Sequence, residues 1–415
     1  MNILLNLALV AAACIGHTAV WVFLVNRAYA RAINYRVLRR LRMIPESLIC
    51  LFPFALLLRL SLADADFLQG GAVGDTSALT QLMLLVPLPA FVLWLPVVVR
   101  WHVWLKHQFA ISDHAERYDL ISSDSSAEET SQVRGTGPGI FALWPWNEIF
   151  QLEVNEKTIE VTSPDPSRSG TELRIVHFSD LHFVGCPGPA YYRQVMRRAM
   201  ALKPDAFIFT GDLIDDPDLL PVACEILAEV CDAAPSFFIL GNHDWRYDVP
   251  AIRNALTDTG WIDVGSRSVT LDVAGLRVGV SGSEQPWIGS CPEKSRGCDV
   301  SLLLSHSPDQ WSMARDAGFD VMFSGHTHGG QVVLPIAGPV FSPSCFGSRY
   351  ASGLFREGAL QFHVSRGVGA KDSVRWNCLP EVTLLKLCFV EADASHAVQS
   401  GRQQPHQAPV ASGSC

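Results

Sequence analysis

Five short polar motifs lie in order between Asp180 and His328, and each supplies side chains that bind divalent metals. They are Asp180-Leu181-His182, Gly211-Asp212, Gly241-Asn242-His243-Asp244, Ser305-His306 and Gly325-His326-Thr327-His328. Carboxylate, amide and imidazole groups suit Mn²⁺, Fe²⁺, Zn²⁺ and Co²⁺, and the absence of Cys from these motifs argues against a structural zinc site of the thiolate kind. A pair of such ions promotes in-line displacement at phosphorus, because it binds both the attacking and the leaving oxygen. The motifs therefore predict a metal-dependent site that cleaves phosphoesters.

Each motif follows a short apolar run of the kind that forms a buried strand. Residues 173–178 precede Ser179-Asp180, and residues 206–210 precede Gly211-Asp212. Open α/β sheets bind ligands at the carboxyl ends of their strands, so we expect one sheet edge to gather the motifs. A single histidine after an apolar strand is commonly a hydrogen-bonded core residue. Five motifs in sequence, each after a strand-like run, favour a site instead.

The segments between the motifs alternate between helical and strand patterns. Apolar spacing predicts helices over 191–202, 222–230 and 251–257, and a hairpin over 269–281. The region from 362 to 390 is rich in strand residues, and alternation over 141–161 predicts an entry hairpin or an edge strand. This order predicts an α/β fold of two packed sheets with the metals at the sheet edges.

The chain from about Leu173 to Leu387 resembles the calcineurin-like metallophosphoesterases. It is most similar to their membrane-associated bacterial branch, which includes phosphodiesterases and UDP-2,3-diacylglucosamine pyrophosphatases. Besides the five motifs, the resemblance is carried by residues 328–332 (HGGQV), 334–335 (LP), 349–354 (RYASGL), 364–369 (VSRGVG) and 380–382 (PEV). The resemblance implies a two-sheet metallophosphoesterase sandwich with helices on the outer faces, and hydrolysis of a phosphoester bond.

The resemblance also implies two metal ions that share one carboxylate. One ion would be bound by Asp180, His182, Asp212 and His328, and the other by Asp212, Asn242, His306 and His326. A hydroxide between the ions would attack phosphorus, because coordination lowers the pKa of water. Mn²⁺ is the expected metal, with Fe²⁺, Zn²⁺ and Co²⁺ as alternatives that the sequence does not separate.

Two residues beside the ligands receive catalytic roles. His243 is the candidate for stabilising the transferred phosphoryl group and for protonating the leaving oxygen. Asp244 is expected to orient His243, as carboxylates commonly orient imidazoles. The alternative for Asp244 is a turn residue or a helix N-cap.

The first hundred residues contain three apolar runs, which predict a membrane region over 1–108. The runs are 3–25, which has no charge, 47–62, which Arg59 interrupts, and 79–99, which contains three prolines. A cleavable signal peptide is the alternative for the first run. It fits poorly, because no basic residue precedes Ile3 and no small-x-small exit follows.

The charges between these runs predict an orientation in the inner (cytoplasmic) membrane. Six arginines separate the first two runs, namely Arg27, Arg31, Arg36, Arg39, Arg40 and Arg42. The second connection contains Asp64, Asp66 and Asp75 without Lys or Arg. Since basic loops stay cytoplasmic, we expect a multi-pass protein with its catalytic domain in the cytoplasm. Nucleic-acid binding is the alternative for the arginines, but the net charge of −9 gives it no support.

The remaining boundaries follow from composition. Residues 109–140 are polar and end in a Gly-rich stretch, which predicts a flexible linker. The metallophosphoesterase domain is expected over 141–392, and a disordered tail over 393–415.

The expected substrate is a phosphodiester or pyrophosphate lipid in the bilayer, with UDP-2,3-diacylglucosamine as the leading candidate. A general phosphodiesterase acting on nucleotides or cell-wall polymers is the alternative, and a non-catalytic metal-binding scaffold is a third hypothesis. The loop 284–299 is a candidate cover for a lipid or a phosphate, or an ordinary exposed loop. Arg193, Arg197 and Arg198 would meet a phosphate or the membrane surface, or form a solvated face. The sequence leaves the oligomeric state open.

Overall fold

The computed structural model describes residues 3–121, 127–135, 144–163 and 165–391. The chain forms two compact units, one of residues 1–107 with 334–349 and one of residues 108–333 with 350–415. The predicted disordered tail, 393–415, lies outside the described residues.

The first unit is helical. Its helices are α1 (Ile3–Tyr29), α2 (Tyr35–Ala63), α3 (Ala65–Leu68), α4 (Ala78–Leu85) and α5 (Leu88–Ile111). Three stretches are long and apolar enough to cross a membrane, namely Ile3–Tyr29, Tyr35–Ala63 and Ala78–Val103. They pack through a small core that includes Ala13, Leu56 and Leu84, while many other apolar side chains point outward. An outward apolar surface of this kind is typical of helices in lipid.

The charged residue in the second apolar run is accommodated by hydrogen bonds. The Arg59 guanidinium donates to the Ser77 hydroxyl, and the Asp64 carboxylate accepts from Ser77 and Thr80. These contacts gather the polar groups at one end of α2, so the helix continues through Arg59 without a break. Arg59 therefore does not shorten this stretch.

The second unit contains two sheets. The first sheet has the strand order β1-β2-β15-β3-β4-β5-β6 and the second has the order β13-β14-β10-β9-β8-β7. The strands of these two sheets are β1 (Ser112–Asp119), β2 (Gln151–Thr162), β3 (Glu172–Phe178), β4 (Ala206–Phe209), β5 (Ser236–Phe238), β6 (Ile262–Asp263), β7 (Ser268–Val273), β8 (Leu276–Ser283), β9 (Val300–Ser305), β10 (Val321–Ser324), β13 (Gly353–Glu357), β14 (Leu360–Val364) and β15 (Glu381–Val390). The short strands β11 (Val333–Leu334) and β12 (Gly338–Pro339) lie outside these two sheets. The helices are α6 (Ala127–Arg134), α7 (Pro189–Ala201), α8 (Leu220–Cys231), α9 (Val249–Asp258) and α10 (Trp311–Asp316).

The two sheets pack face to face over a buried core. Side chains such as Ile175 and Leu385 of the first sheet meet Leu302 and Phe323 of the second. The other face of the first sheet packs against α7, α8 and α9, and that of the second sheet packs against α10. The predicted two-sheet α/β sandwich with outer helices is confirmed, as are the three helices and the hairpin of β7 and β8.

Part of the predicted linker belongs to the first sheet. β1 begins at the residue after α5 ends and pairs antiparallel with β2, with Arg117 opposite Glu153. Its side chains from His114 to Arg117 are exposed, and an edge strand tolerates such a polar sequence because only its backbone must pair. β2 is consequently an inner strand, so of the two expectations for this segment, an entry hairpin or an edge strand, the edge strand is wrong. Residues 122–126 and 136–140 of the predicted linker, and the next three residues, 141–143, lie outside the described part of the chain.

Candidate metal centre

The polar motifs occupy the loops that follow parallel strands of both sheets. Asp180, Asp212 and Asn242 follow the neighbouring strands β3, β4 and β5. His306 follows β9, and the Gly325–His328 motif follows the adjacent strand β10. Because these strands run parallel within each sheet, their carboxyl ends meet at one edge. The fold therefore brings together all seven predicted ligands.

Five of the predicted ligands have a positive φ angle, a backbone conformation that residues other than glycine rarely adopt. The φ angles are +53° at Asp180, +46° at His182, +59° at Asp212, +71° at His326 and +51° at His328. Residues in this region cost on the order of 1–3 kcal/mol each and persist where the surroundings hold them. The loops are held by backbone hydrogen bonds, for example from Asp180 N to Gly211 O at 2.9 Å. Strain of this kind concentrates at functional sites.

One group of metal-binding atoms comes from Asp180, His182, Asp212 and His328, whose ligand atoms all lie within 4.8 Å of one another. His182 Nε2 is 3.0 Å from His328 Nε2 and 3.5 Å from Asp212 Oδ2. His328 Nε2 lies 3.4 Å from Asp180 Oδ1. Since a metal–ligand bond is about 2.0–2.2 Å long, atoms this far apart can share one ion.

A second group contains Asp212, His306 and His326. His306 Nε2 lies 3.3 Å from Asp212 Oδ2 and 3.2 Å from Asn242 Oδ1. His306 donates its Nδ1 proton to the Thr210 carbonyl at 2.7 Å, which leaves Nε2 with a lone pair that faces two oxygen acceptors. Acceptors that face one another in this way are stabilised by a cation between them. Asp212 belongs to both groups.

An unpartnered ring nitrogen supports the same conclusion. Among the described residues, no hydrogen-bond partner lies near His326 Nε2, although the atom is buried. A buried polar atom without a partner is costly unless a ligand or an ion satisfies it. The residues present therefore fit a pair of divalent ions, in a donor set of carboxylate, amide and imidazole.

Asp215 is a site residue that the sequence reasoning missed. Its Oδ2 accepts the Nδ1 proton of His182 and its Oδ1 accepts that of His243, both at 2.7 Å. Burial alone would raise the pKa of Asp215, but the hydrogen bonds from the two imidazoles outweigh burial and lower the pKa well below its ordinary value. Both imidazoles are thereby fixed with Nε2 toward the site. The available signal was its position three residues after Asp212.

Replacing Asp215 by Asn is expected to lower kcat/KM for a phosphodiester by about 10–100-fold, the usual cost of losing a residue that orients a ligand. An amide can no longer accept with two charged oxygens from His182 and His243. Steady-state kinetics and metal content of the purified protein measure the effect. Asp218→Asn, an exposed change three residues further along the loop, is the control and should leave both values unchanged. Unaltered kinetics in Asp215→Asn would contradict this role.

Asp244 differs from the expectation that it orients His243. Its carboxylate accepts from the backbone amides of Asp212 and Gly241 through Oδ2, and of Leu213 and Ile214 through Oδ1. Burial, followed by the nearby Asp212 carboxylate, raises its pKa, while the amide donors act in the opposite direction. Asp244 thus joins the loops after β4 and β5, and Asp215 orients His243.

His243 lies at the side of the metal groups. Its Nε2 is 4.0 Å from Asp212 Oδ2, and its ring stands edge-on to His182. Burial lowers the pKa of His243 to about 4, while Asp212 acts in the opposite direction. Two cationic side chains are close by. Arg246 Nη1 is 3.1 Å from His243 Nδ1, and Lys371 Nζ is 3.9 Å from Asp215 Oδ1.

The loop 284–299 contacts the second group of metal-binding residues through Trp287. Trp287 stands edge-on to His306 and His326. Its ring centroid lies 5.6 Å from that of His306 and 4.9 Å from that of His326. Glu284 fixes the base of the loop, because its carboxylate accepts from the Leu240 amide and from Arg253.

The contacts of the three arginines of α7 do not indicate a phosphate-binding site. Arg193 pairs with Glu225, Arg198 lies over the Tyr118 ring, and Arg197 is exposed.

A row of buried polar side chains lies behind the site, between the sheets. Lys157 Nζ is 3.1 Å from His363 Nε2, the Nδ1 atoms of His363 and His177 are 2.8 Å apart, and His177 Nε2 is 3.0 Å from the Thr210 hydroxyl. Burial lowers the pKa of His177 to about 3, so the ring is neutral near pH 7. The row supports Thr210, whose carbonyl orients the ligand His306.

Comparisons with a family profile and with individual known proteins agree on one family. The profile of the family described as calcineurin-like phosphoesterase matches residues 173–330. The chain is 30% identical over 222 residues to the phosphodiesterase YaeI of Escherichia coli, which covers 52% of this chain and 82% of YaeI. It is 29% identical over 263 residues to the uncharacterized metallophosphoesterase YkuE of Bacillus subtilis, covering 61% of this chain and 91% of YkuE. It is 24% identical over 284 residues to the UDP-2,3-diacylglucosamine pyrophosphatase LpxG of Chlamydia trachomatis, covering 52% of this chain and 84% of LpxG.

Proposed function

Because the chain belongs to the calcineurin-like metallophosphoesterase family, we propose that it hydrolyses a phosphodiester or pyrophosphate bond at the site formed by the five motifs. The observation that carries the proposal is the position of Asp212, which lies in both groups of metal-binding atoms. One ion would be bound by Asp180, His182, Asp212 and His328, and the other by Asp212, Asn242, His306 and His326. We favour Mn²⁺ for both.

When bound, the two ions polarise the phosphoryl oxygens and lower the pKa of water, which supplies a nucleophile at neutral pH. The protein contributes a proton donor beside them. His243 Nε2 faces the Asp212 carboxylate at 4.0 Å, while its Nδ1 proton is held by Asp215. An anionic phosphoryl group bound next to this ring raises the pKa of the imidazole and stabilises its protonated form. His243 then donates the Nε2 proton to the leaving oxygen.

The charge around His243 favours a leaving group that carries a negative charge of its own. Arg246 and Lys371 lie close to the His243–Asp215 pair. Guanidinium and ammonium groups bind phosphate oxygens through charge-assisted hydrogen bonds. The arrangement supports a pyrophosphate substrate, in which the departing half is itself a phosphate.

We further propose that the substrate is a membrane lipid such as UDP-2,3-diacylglucosamine. The three apolar helical stretches support attachment to a membrane, and the resemblance to LpxG supports this lipid. The arginines between the first two stretches support a multi-pass protein of the inner membrane with a cytoplasmic catalytic unit. In this layout the membrane region covers about 1–108, and the catalytic domain begins near Ser112 instead of 141.

A second candidate is a phosphodiesterase with a soluble substrate, such as a nucleotide or a cell-wall polymer. The resemblance to the phosphodiesterase YaeI favours it. A non-catalytic scaffold is disfavoured, because every predicted ligand position has a metal-binding side chain and His243 lies beside them.

The proposal is tested with the full-length protein in detergent. Metal is removed by a chelator and Mn²⁺ is restored, and release of UMP from UDP-2,3-diacylglucosamine is compared with hydrolysis of bis(p-nitrophenyl) phosphate. We expect both activities to vanish on chelation and to return with Mn²⁺. Hydrolysis of the diester without UMP release would replace the lipid substrate by the soluble one. Metal binding without either activity would contradict the enzymatic proposal.

A further inference from the structure

An uncharged segment, residues 334–348, lies within the catalytic half of the sequence. It reads Leu-Pro-Ile-Ala-Gly-Pro-Val-Phe-Ser-Pro-Ser-Cys-Phe-Gly-Ser, without one Asp, Glu, Lys or Arg. The residues on both sides of it belong to the second unit, but residues 334–349 belong to the first unit with the apolar helices. We propose that this uncharged segment is a membrane-anchoring loop that inserts into the interfacial layer of a phospholipid bilayer.

The segment is fixed to the first unit by a paired hydrogen bond. Asn26 donates through Nδ2 to the Val340 carbonyl at 3.1 Å, and its Oδ1 accepts from the Ser342 amide at 3.0 Å. Asn26 and Ser342 are both buried. An asparagine in an apolar helix that satisfies a backbone segment in this way removes two polar groups that would otherwise be costly in a lipid environment.

A glycine allows close approach at a second point. Gly338 has φ of +73°, and a Cβ atom added there would lie 2.7 Å from the indole of Trp101. The backbone therefore packs directly on the Trp101 ring. Asn26 lies in the last turn of α1 and Trp101 lies near the end of the stretch Ala78–Val103. Both contacts are thus at the ends of membrane-spanning stretches, where tryptophan is typical of the membrane–water interface.

Large apolar side chains of the segment point away from these contacts. Ile336 is 73% exposed and Phe341 is 46% exposed, and Leu334 and Phe346 are also exposed. Many apolar side chains of the helices to which the segment is attached are exposed as well. Exposed aliphatic and aromatic groups at the ends of such helices enter the boundary between headgroups and acyl chains. Attachment to these apolar helices and the absence of charge favour lipid over a protein partner.

The anchoring loop goes beyond hydrolysis and does not depend on it. It adds a contact with the bilayer from the second half of the chain, in addition to the three amino-terminal stretches. The proposal also explains the composition of this segment, which has three prolines and no charge. An uncharged apolar loop exposed to water would promote aggregation.

Photo-crosslinking tests the proposal in the full-length protein reconstituted into phosphatidylethanolamine–phosphatidylglycerol nanodiscs. Benzoylphenylalanine is placed at Ile336 or Phe341, and at Asn254, an exposed residue of α9, as the control position. We expect lipid adducts at Ile336 and Phe341 to exceed those at Asn254 several-fold, by mass spectrometry. Adducts at the control level, or crosslinks to a second protein chain instead of lipid, would overturn the proposal.

A pair of substitutions at Ile336 tests whether the lipid adduct depends on the apolar character of the segment. With the crosslinker at Phe341, Ile336→Asp should reduce the lipid adduct several-fold, because a carboxylate favours water over the interface. Ile336→Leu keeps the apolar character and should leave the adduct unchanged. Metal content, measured in parallel, reports whether the second unit is folded. Equal adducts in the Asp and Leu variants would show that the segment does not enter the bilayer.

Discussion

Substituting Asn for Asp212 is expected to lower kcat/KM on any phosphodiester by roughly 10³-fold or more. Asp212 Oδ2 lies 3.3 Å from His306 Nε2 and 3.5 Å from His182 Nε2, so one carboxylate serves both groups of metal-binding atoms. A neutral amide removes the negative charge that both ions would share. Loss of metal assistance costs several kcal/mol in the transition state, and about 1.36 kcal/mol corresponds to a factor of ten.

The Asp212→Asn change is conservative for the fold. Asp212 Oδ1 accepts from the His243 amide at 2.8 Å, and the carbonyl oxygen of an asparagine can accept the same hydrogen bond. Metal content should fall from about two ions per chain to one or none. Asp216→Asn is a matched control, because Asp216 caps a short helix in the same loop and asparagine caps equally well. A variant that kept both ions and full activity would exclude the shared-carboxylate arrangement.

Replacing His243 by Gln is expected to lower kcat by about 10²–10⁴-fold, the usual contribution of a positioned acid or base. The metal content should change little, because His243 is outside both proposed ligand sets. The glutamine keeps a polar side chain of similar reach but supplies no titratable proton at Nε2. The measurement is kcat together with metal analysis of the same preparation.

The leaving group separates the two roles proposed for His243. A p-nitrophenolate departs without a proton, so the loss in His243→Gln should be much smaller for bis(p-nitrophenyl) phosphate than for a diester with an alkyl leaving group. Equal losses for the two substrates would mean that His243 stabilises the phosphoryl charge and does not donate the proton. Wild-type rates for both would remove His243 from the mechanism.

The family, the fold class and the polar residues that gather at the site were accessible from the sequence because the relevant signals are local. An apolar run followed by an Asp, Asn or His places a polar side chain at a strand end wherever the sheet is built. Helical spacing over α7, α8 and α9 likewise depends on neighbours three and four residues apart. The apolar runs at the amino terminus are also local signals, and composition suffices to recognise them.

The tertiary structure decided which carboxylate, that of Asp215 or that of Asp244, orients His243. Adjacency in the sequence suggested that Asp244 orients His243, yet its carboxylate turns toward the amides of the loop after β4. Asp215 is 28 residues from His243 along the chain and contacts it only because the loops after β4 and β5 meet. Hydrogen bonds between loops depend on the crossing of backbones, which no local pattern encodes.

The edge strand β1 and the placement of the uncharged segment are two further features that local sequence patterns did not predict. The residues of β1 are polar enough to indicate a linker, and they form a strand because β2 offers an unpaired backbone edge. The segment 334–348 follows the predicted ligand His328 closely in sequence, and only the contacts of Asn26 and Trp101 assign it to the helical unit. The sequence by itself determined which polar residues follow the strands that form the site and which stretches are apolar. The packing of distant backbones decided which carboxylate orients each histidine and which unit holds each loop.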